Sequence, residues 1–180
     1  MMLCLRLEPQ AVVNEKHAML KIVSGGQTGV DRAALDEAVA LGIPYRGWCP
    51  KGGWAEDLPD PPGLLALYPN LRETPDRDTR QRTEWNVRDS DALLVLVERA
   101  GLSASKGTDF AVECAKRLGK PLLILDIDAD DALARALDWL EERHGSSALC
   151  VGGPRESEAP GIYAKARPFL RALLDRVARR

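Results

Sequence analysis

Histidine, paired cysteine, excess basic charge and long apolar runs are all scarce or missing here, and each scarcity removes a class of function. The sequence holds two histidines and four cysteines in 180 residues. Cys4, Cys49, Cys114 and Cys150 make no CxxC pair and have no histidine at ligand spacing. No metal site is therefore predicted, and no disulfide framework is expected. His17 and His144 are isolated, and no Ser-His-Asp arrangement is visible. The formal net charge of -2 supplies no global field for nucleic acid, so any anion site has to be local. Apolar runs such as residues 92–97 and 122–125 fall far short of the ~20 residues that span a bilayer, so no membrane association is expected. Arg6 and Glu8 interrupt the apolar start, and no small-residue cleavage site follows. The expected location is cytoplasmic.

What is present reads as an ordinary globule, 45% hydrophobic and 29% charged. From residue 20 onward, short apolar runs alternate with helical periodicity. Leu20-Lys21-Ile22-Val23 reads as a strand ending at glycines, and residues 31–41 as a helix closed by Gly42. A second strand starts at Ile43-Pro44-Tyr45. Residues 48–80, rich in Pro, Gly, Asp and Arg, read as one long ordered loop region. A polar helix is predicted over 76–89 with Thr74 as its N-cap. Residues 92–97 are continuously apolar, as in a strand covered on both faces. Further strands are read at 121–125 and 148–151, and helices from 105 to 118, 132 to 143 and 162 to 177. The rhythm predicts an α/β fold of Rossmann-like type, a doubly wound, mostly parallel sheet with helices on both faces. Residues 20–180 are expected to form one such domain, with residues 1–19 an unassigned extension.

Ligands of such sheets bind outside the carboxyl ends of the strands, and three segments stand there. The first is Ser24-Gly25-Gly26-Gln27-Thr28-Gly29, where glycines and the following helix N-terminus suit an anion. A tight structural turn would use the same glycines. The second, Ser105-Lys106-Gly107-Thr108, repeats that physics after another strand, and the two together predict a bound phosphate. A valine at Gly26 is expected to fill this two-turn cradle and leave the fold intact. The third segment, residues 152–157, offers Arg155 as a bidentate phosphate clamp and Glu156, or else a solvated loop pair.

Other polar groups surround these turns. Asp31 and Arg32 either orient a ligand or cap the first helix. Arg82, Asn86 and Asp89 share one helix face, which serves a ligand or solvent; Asp89-Ser90-Asp91 directly precedes a buried strand. Trp48 and Lys51 pair an aromatic with a cation beside Cys49, either against a planar anionic ligand or as a hydrophobic plug with a surface lysine. Cys49 is the one thiol near polar chemistry.

The motifs form a series: Ser-Gly-Gly-Gln-Thr-Gly-Val-Asp-Arg-Ala-Ala (24–34), Gly-Trp-Cys-Pro-Lys-Gly (47–52), Ala-Glu-Asp (55–57) and Glu-Thr-Pro (73–75). Arg-Thr-Glu-Trp-Asn-Val-Arg-Asp-Ser-Asp (82–91), Ser-Lys-Gly-Thr (105–108), Gly-Pro-Arg-Glu-Ser (153–157) and Pro-Gly-Ile-Tyr (160–163) continue it. From Lys21 onward the chain resembles the molybdenum-cofactor carrier protein family. That family is similar to a circularly permuted branch of the Rossmann-like superfamily that includes the lysine-decarboxylase-like "lonely guy" phosphoribohydrolases. The resemblance implies homo-oligomers (dimer or tetramer) and a glycine-turn site for a nucleotide or pterin phosphate, molybdenum cofactor being the named candidate. It implies that Gly25, Gly26, Thr28, Gly29, Ser105, Gly107 and Thr108 hold the phosphate, with Arg82, Asn86 and the 153–157 loop nearby. An enzymatic alternative is N-glycoside hydrolysis of a nucleoside monophosphate, with Glu113 supplying the carboxylate. The chain departs from the expected pattern after Lys51-Gly52, where Gly53-Trp54 stands in place of a basic residue. Residues 1–19 lie outside the resemblance.

Overall fold

In a computed structural model that describes residues 20–99, 105–143 and 147–179, Ala92–Val97 (β4) is buried at every position. Its side chains alternate between two cores, as pleating requires. Leu94 and Leu96 face one cluster, and Leu93, Val95 and Val97 face the other. The expected fold class is the one observed. Lys21–Val23 (β1), Tyr45–Cys49 (β2), Leu71–Glu73 (β3), β4, Leu122–Asp126 (β5) and Ala148–Gly152 (β6) form one wholly parallel sheet ordered β3-β2-β1-β6-β4-β5.

Helices cover both faces. Val30–Ala40 (α1), Ala132–Glu141 (α5) and Ile162–Ala178 (α6) bury their apolar stripes against one face. Thr79–Arg88 (α3) and Lys106–Arg117 (α4) cover the other. A smaller third core gathers Leu35, Cys49, Leu64 and Tyr68 beneath the segment following β2. No helix among the described residues is long and apolar enough to cross a membrane.

Chain order runs outward from β6 in both directions, through β1, β2 and β3 on one side and β4 and β5 on the other. Were the final β6-α6 unit placed first, the strands would read 4-3-2-1-5-6, a doubly wound order with a single reversal.

Three local expectations need correction. The 48–80 stretch is not all loop: it holds a 3₁₀ turn at Lys51–Gly53, the short helix Leu64–Leu67 (α2) and the edge strand β3. The polar helix starts at Thr79, with Asp78 as N-cap: its carboxylate accepts from the Arg80 amide at 2.8 Å. Thr74 instead donates its hydroxyl to the carbonyls of Cys49 and Asp76, tying the loop to the end of β2. Residues 1–19 and 144–146, with Cys4, His17 and His144, lie outside the described residues.

Candidate functional site

The connections leaving β1 and β4 run to opposite faces of the sheet, with β6 between the two strands. That divergence leaves a gap above the carboxyl end of β6. It is a cleft of about 290 Å³. One wall comes from Gly25 and Gln27 after β1, a second from Ser105, Gly107 and Phe110 on α4. Gly152, Gly153 and Arg155 close it after β6, and Thr79, Arg82 and Asn86 line it from α3.

The α4 end of the cleft presents the N-terminus of that helix. Ser105 is the N-cap, its Oγ accepting from the Thr108 amide at 3.2 Å and from the Thr108 hydroxyl at 2.9 Å. The amides of Lys106 and Gly107 have no intrahelical acceptor in that first turn and sit at the positive end of the helix dipole. Among the described residues, a Cβ on Gly107 would meet only Ser105 Oγ, at 4.0 Å. Lys106 and Gly107 both line the cleft.

The glycine turn after β1 is engaged differently. Gly26 has φ +70, and a Cβ there would press on Leu35 and Leu64 at 3.1 to 3.3 Å. A valine would strain the third core rather than fill a cradle, contrary to the sequence-based expectation. Gly29 has φ +79, and a Cβ there would collide with the Pro154 carbonyl oxygen. The Val30 amide donates to that same oxygen at 3.4 Å. The N-terminus of α1 is therefore closed off by the loop after β6.

Asp31 and Arg82 form the charged floor. Arg82 Nη1 donates to Asp31 Oδ2 at 3.0 Å, and Asp31 is only 7% exposed. Burial pushes the Asp31 carboxyl up, against the pull of Arg82 and Arg155. Arg82 Nε is buried with no hydrogen-bond partner. Gln27 accepts the amides of Thr28 and Glu56 on its Oε1.

Several sequence-predicted residues hold the loops rather than line the cleft. Thr28 donates its hydroxyl to Glu56, which also accepts from Ser157 Oγ at 2.6 Å; the Glu156 amide donates to Thr28 Oγ1 at 3.2 Å. Partial burial opposes ionisation of Glu56, but the hydrogen bonds from Ser157 and Thr28 outweigh it and hold its carboxyl below the usual range. Arg32 donates to the Gly26 carbonyl and, bidentately, to Asp57 at 3.0 Å. The Glu156 carboxylate caps α6, accepting from the amides of Gly161 and Tyr163.

Asn86 lines the cleft, yet its amide accepts from Trp48 N at 2.7 Å and donates to Trp48 O at 2.9 Å. It replaces β1 along β2: Arg46 O still accepts from Ser24 N, and two residues later β1 has turned away. Trp48 donates Nε1 to Asp89 and meets Trp85 edge-to-face at 4.8 Å. Asp91 accepts the amides of Ser147 and Ala148 at the start of β6. Lys51 is exposed, and Glu113 is exposed on α4; neither lines the cleft. Cys49 is buried, and burial pushes its thiol up to about 11.

Sequence reasoning did not single out Arg80, Phe110 or Glu158, all of which line the cleft. Position on the helix was the available signal: Phe110 lies one turn beyond Gly107. The cleft's charged side chains are four cations, Arg80, Arg82, Lys106 and Arg155, against two carboxylates, Asp31 and Glu158. Among the described residues no His, Cys, Asp and Glu group could hold a metal ion.

A family model for circularly permutated YpsA SLOG proteins matches residues 22–174. Among solved structures, a crystal structure of a protein named "Putative molybdenum carrier protein", from Syntrophus aciditrophicus SB, has a TM-score of 0.77 and 39% sequence identity. The match covers 89% of this chain and 98% of that one. No curated protein matches the chain. The strand order running outward from β6 is what permuting a doubly wound chain produces. With a model match over that span and a fold so placed, the chain belongs to the circularly permutated YpsA SLOG family.

Proposed function

We propose that the cleft binds a phosphate-bearing small molecule, which the protein carries or senses, with molybdenum cofactor or a nucleotide as the candidate ligand. One observation carries the reading: the amides of Lys106 and Gly107, without an acceptor among the described residues, lie at a cleft whose charged side chains are four cations against two carboxylates. This local excess stands in a chain of net charge -2, so the field is concentrated where a small anion would sit.

Molybdenum cofactor enters through the name of the similar Syntrophus protein. Its terminal phosphate suits the Lys106 and Gly107 amides together with Arg155, and its planar ring system needs a flat wall. The cleft volume of about 290 Å³ lies at the lower end of small-molecule sites, roughly 300–1,000 Å³, so the ligand is a small one or protrudes. Hydrolysis gains no support from Glu113, which is exposed and outside the cleft wall.

The test is equilibrium titration of the purified protein with molybdenum cofactor and with AMP across a range of salt. Saturable binding that weakens as salt rises is expected. Absence of saturable association with either ligand would sink the proposal.

A further inference from the structure

The cleft has a second chemical end that neither the family nor the phosphate reading assigns. Arg80, near the start of α3, lays its guanidinium carbon 3.9 Å from the centroid of the Phe110 ring on α4, and both residues line the cleft. No hydrogen bond or ion pair involves the Arg80 side chain among the described residues; its one ring partner is Phe110. Phe110 follows Gly107 by three residues, which puts it on the same helix face about 4.5 Å further along the axis. A ligand anchored by phosphate at the Lys106 and Gly107 amides therefore reaches this pair with its next group.

We propose that Arg80 and Phe110 form a stacking platform that selects phosphorylated ligands carrying a planar heterocycle over those without one. The inference rests on the phosphate reading given above. A guanidinium held over an aromatic ring sets a planar cation beside a π-face, and stacking on such groups depends on a π-face rather than on one hydrogen-bond pattern. The platform uses the side chains of Arg80 and Phe110, whereas the anion seat uses the Lys106 and Gly107 amides with Arg155, so the two parts are separable by mutation. Trp48 does not compete for this role, because its ring packs on Trp85 and its Nε1 is spent on Asp89.

The experiment compares AMP and GMP with ribose 5-phosphate, which shares the phosphate and sugar and lacks the ring. Affinities are measured for the natural protein and for Phe110→Leu and Arg80→Lys, with thermal unfolding recorded for each. The natural protein is expected to prefer the nucleotides by about tenfold or more. In both variants that ratio should fall toward one, because leucine has no π-face and lysine keeps the charge without the plane. If both ligand kinds bind and the ratio starts near one, or survives in the variants, the platform is refuted while the anion seat stands. If neither kind binds the natural protein, the phosphate reading fails and the platform falls with it.

Discussion

The guanidinium of Arg82 lies 3.0 Å from the Asp31 carboxylate and so close to Gly25 that a Cβ there would collide with Nη1. The first glycine turn thus makes room for a cation approaching from α3, and the cation in turn neutralises a carboxylate buried at the start of α1. The carboxylate in the floor of the cleft is thereby held as one half of an ion pair.

Arg82→Met should destabilise the protein by about 3–5 kcal/mol near neutral pH, the usual consequence of stripping the partner from a buried charge. Burial already raises the Asp31 carboxyl, and losing Arg82 raises it further. A folded-state pKa above the unfolded value, roughly 3.9, means that stability falls as pH rises from that value through the folded one. The variant should therefore differ least from the natural protein in acid. Thermal melts between acid and neutral pH check this; a deficit that grows on acidification would contradict it. Adding Asp31→Asn should recover part of the loss.

Gly107→Leu should abolish binding of the phosphate probes without lowering Tm. Gly107 is exposed, no described residue crowds its Cβ position, and leucine is favoured over glycine in a helix by about 0.5–1 kcal/mol. Gly26→Val should do the reverse, lowering Tm through its positive φ and its pressure on Leu35 and Leu64. A left-handed conformation costs a branched residue about 1–2 kcal/mol before any packing strain. Paired melts and titrations of the two variants decide the matter, and a large Tm loss in Gly107→Leu would refute the open geometry.

Glu56→Gln should loosen the junction of the 24–29 turn with the loop after β6, because one acceptor oxygen of the Thr28 and Ser157 network becomes a donor. The Glu56 carboxyl is held below its ordinary value. Its contribution is therefore complete above the unfolded pKa of about 4.3 and vanishes as pH falls through the lower folded one. The Tm gap between the two proteins should be widest near neutrality and close in acid. A gap independent of pH would show that the network is not ionic.

Cys49, Cys114 and Cys150 are all buried, and burial pushes the Cys49 thiol up to about 11. Alkylation of the native protein at about pH 8, where a reactive thiolate would be consumed, should leave all three unmodified by peptide mass mapping. The same treatment in denaturant should label them. Rapid labelling of Cys49 in the native state would contradict its placement.

The sequence determined the repeated strand–helix alternation, because a run such as residues 92–97 is apolar throughout and the helices keep a 3.6-residue stripe. It also determined which loops stand at strand ends, since glycines, Ser105 and Thr108 mark them by local chemistry. The short elements in residues 48–80 escaped notice because an edge strand with one buried residue, Leu71, leaves no periodic pattern. Only the tertiary structure decided what each polar residue in these loops does. Asn86 and Glu156 have the chemistry of ligand contacts, yet folding gives the first to the Trp48 backbone and the second to the N-terminus of α6. The two glycine turns look alike along the chain, but the loop after β6 closes the α1 end with the Pro154 carbonyl and, among the described residues, makes no such contact at the α4 end. That difference arises from contacts between residues more than a hundred positions apart, which no local pattern records.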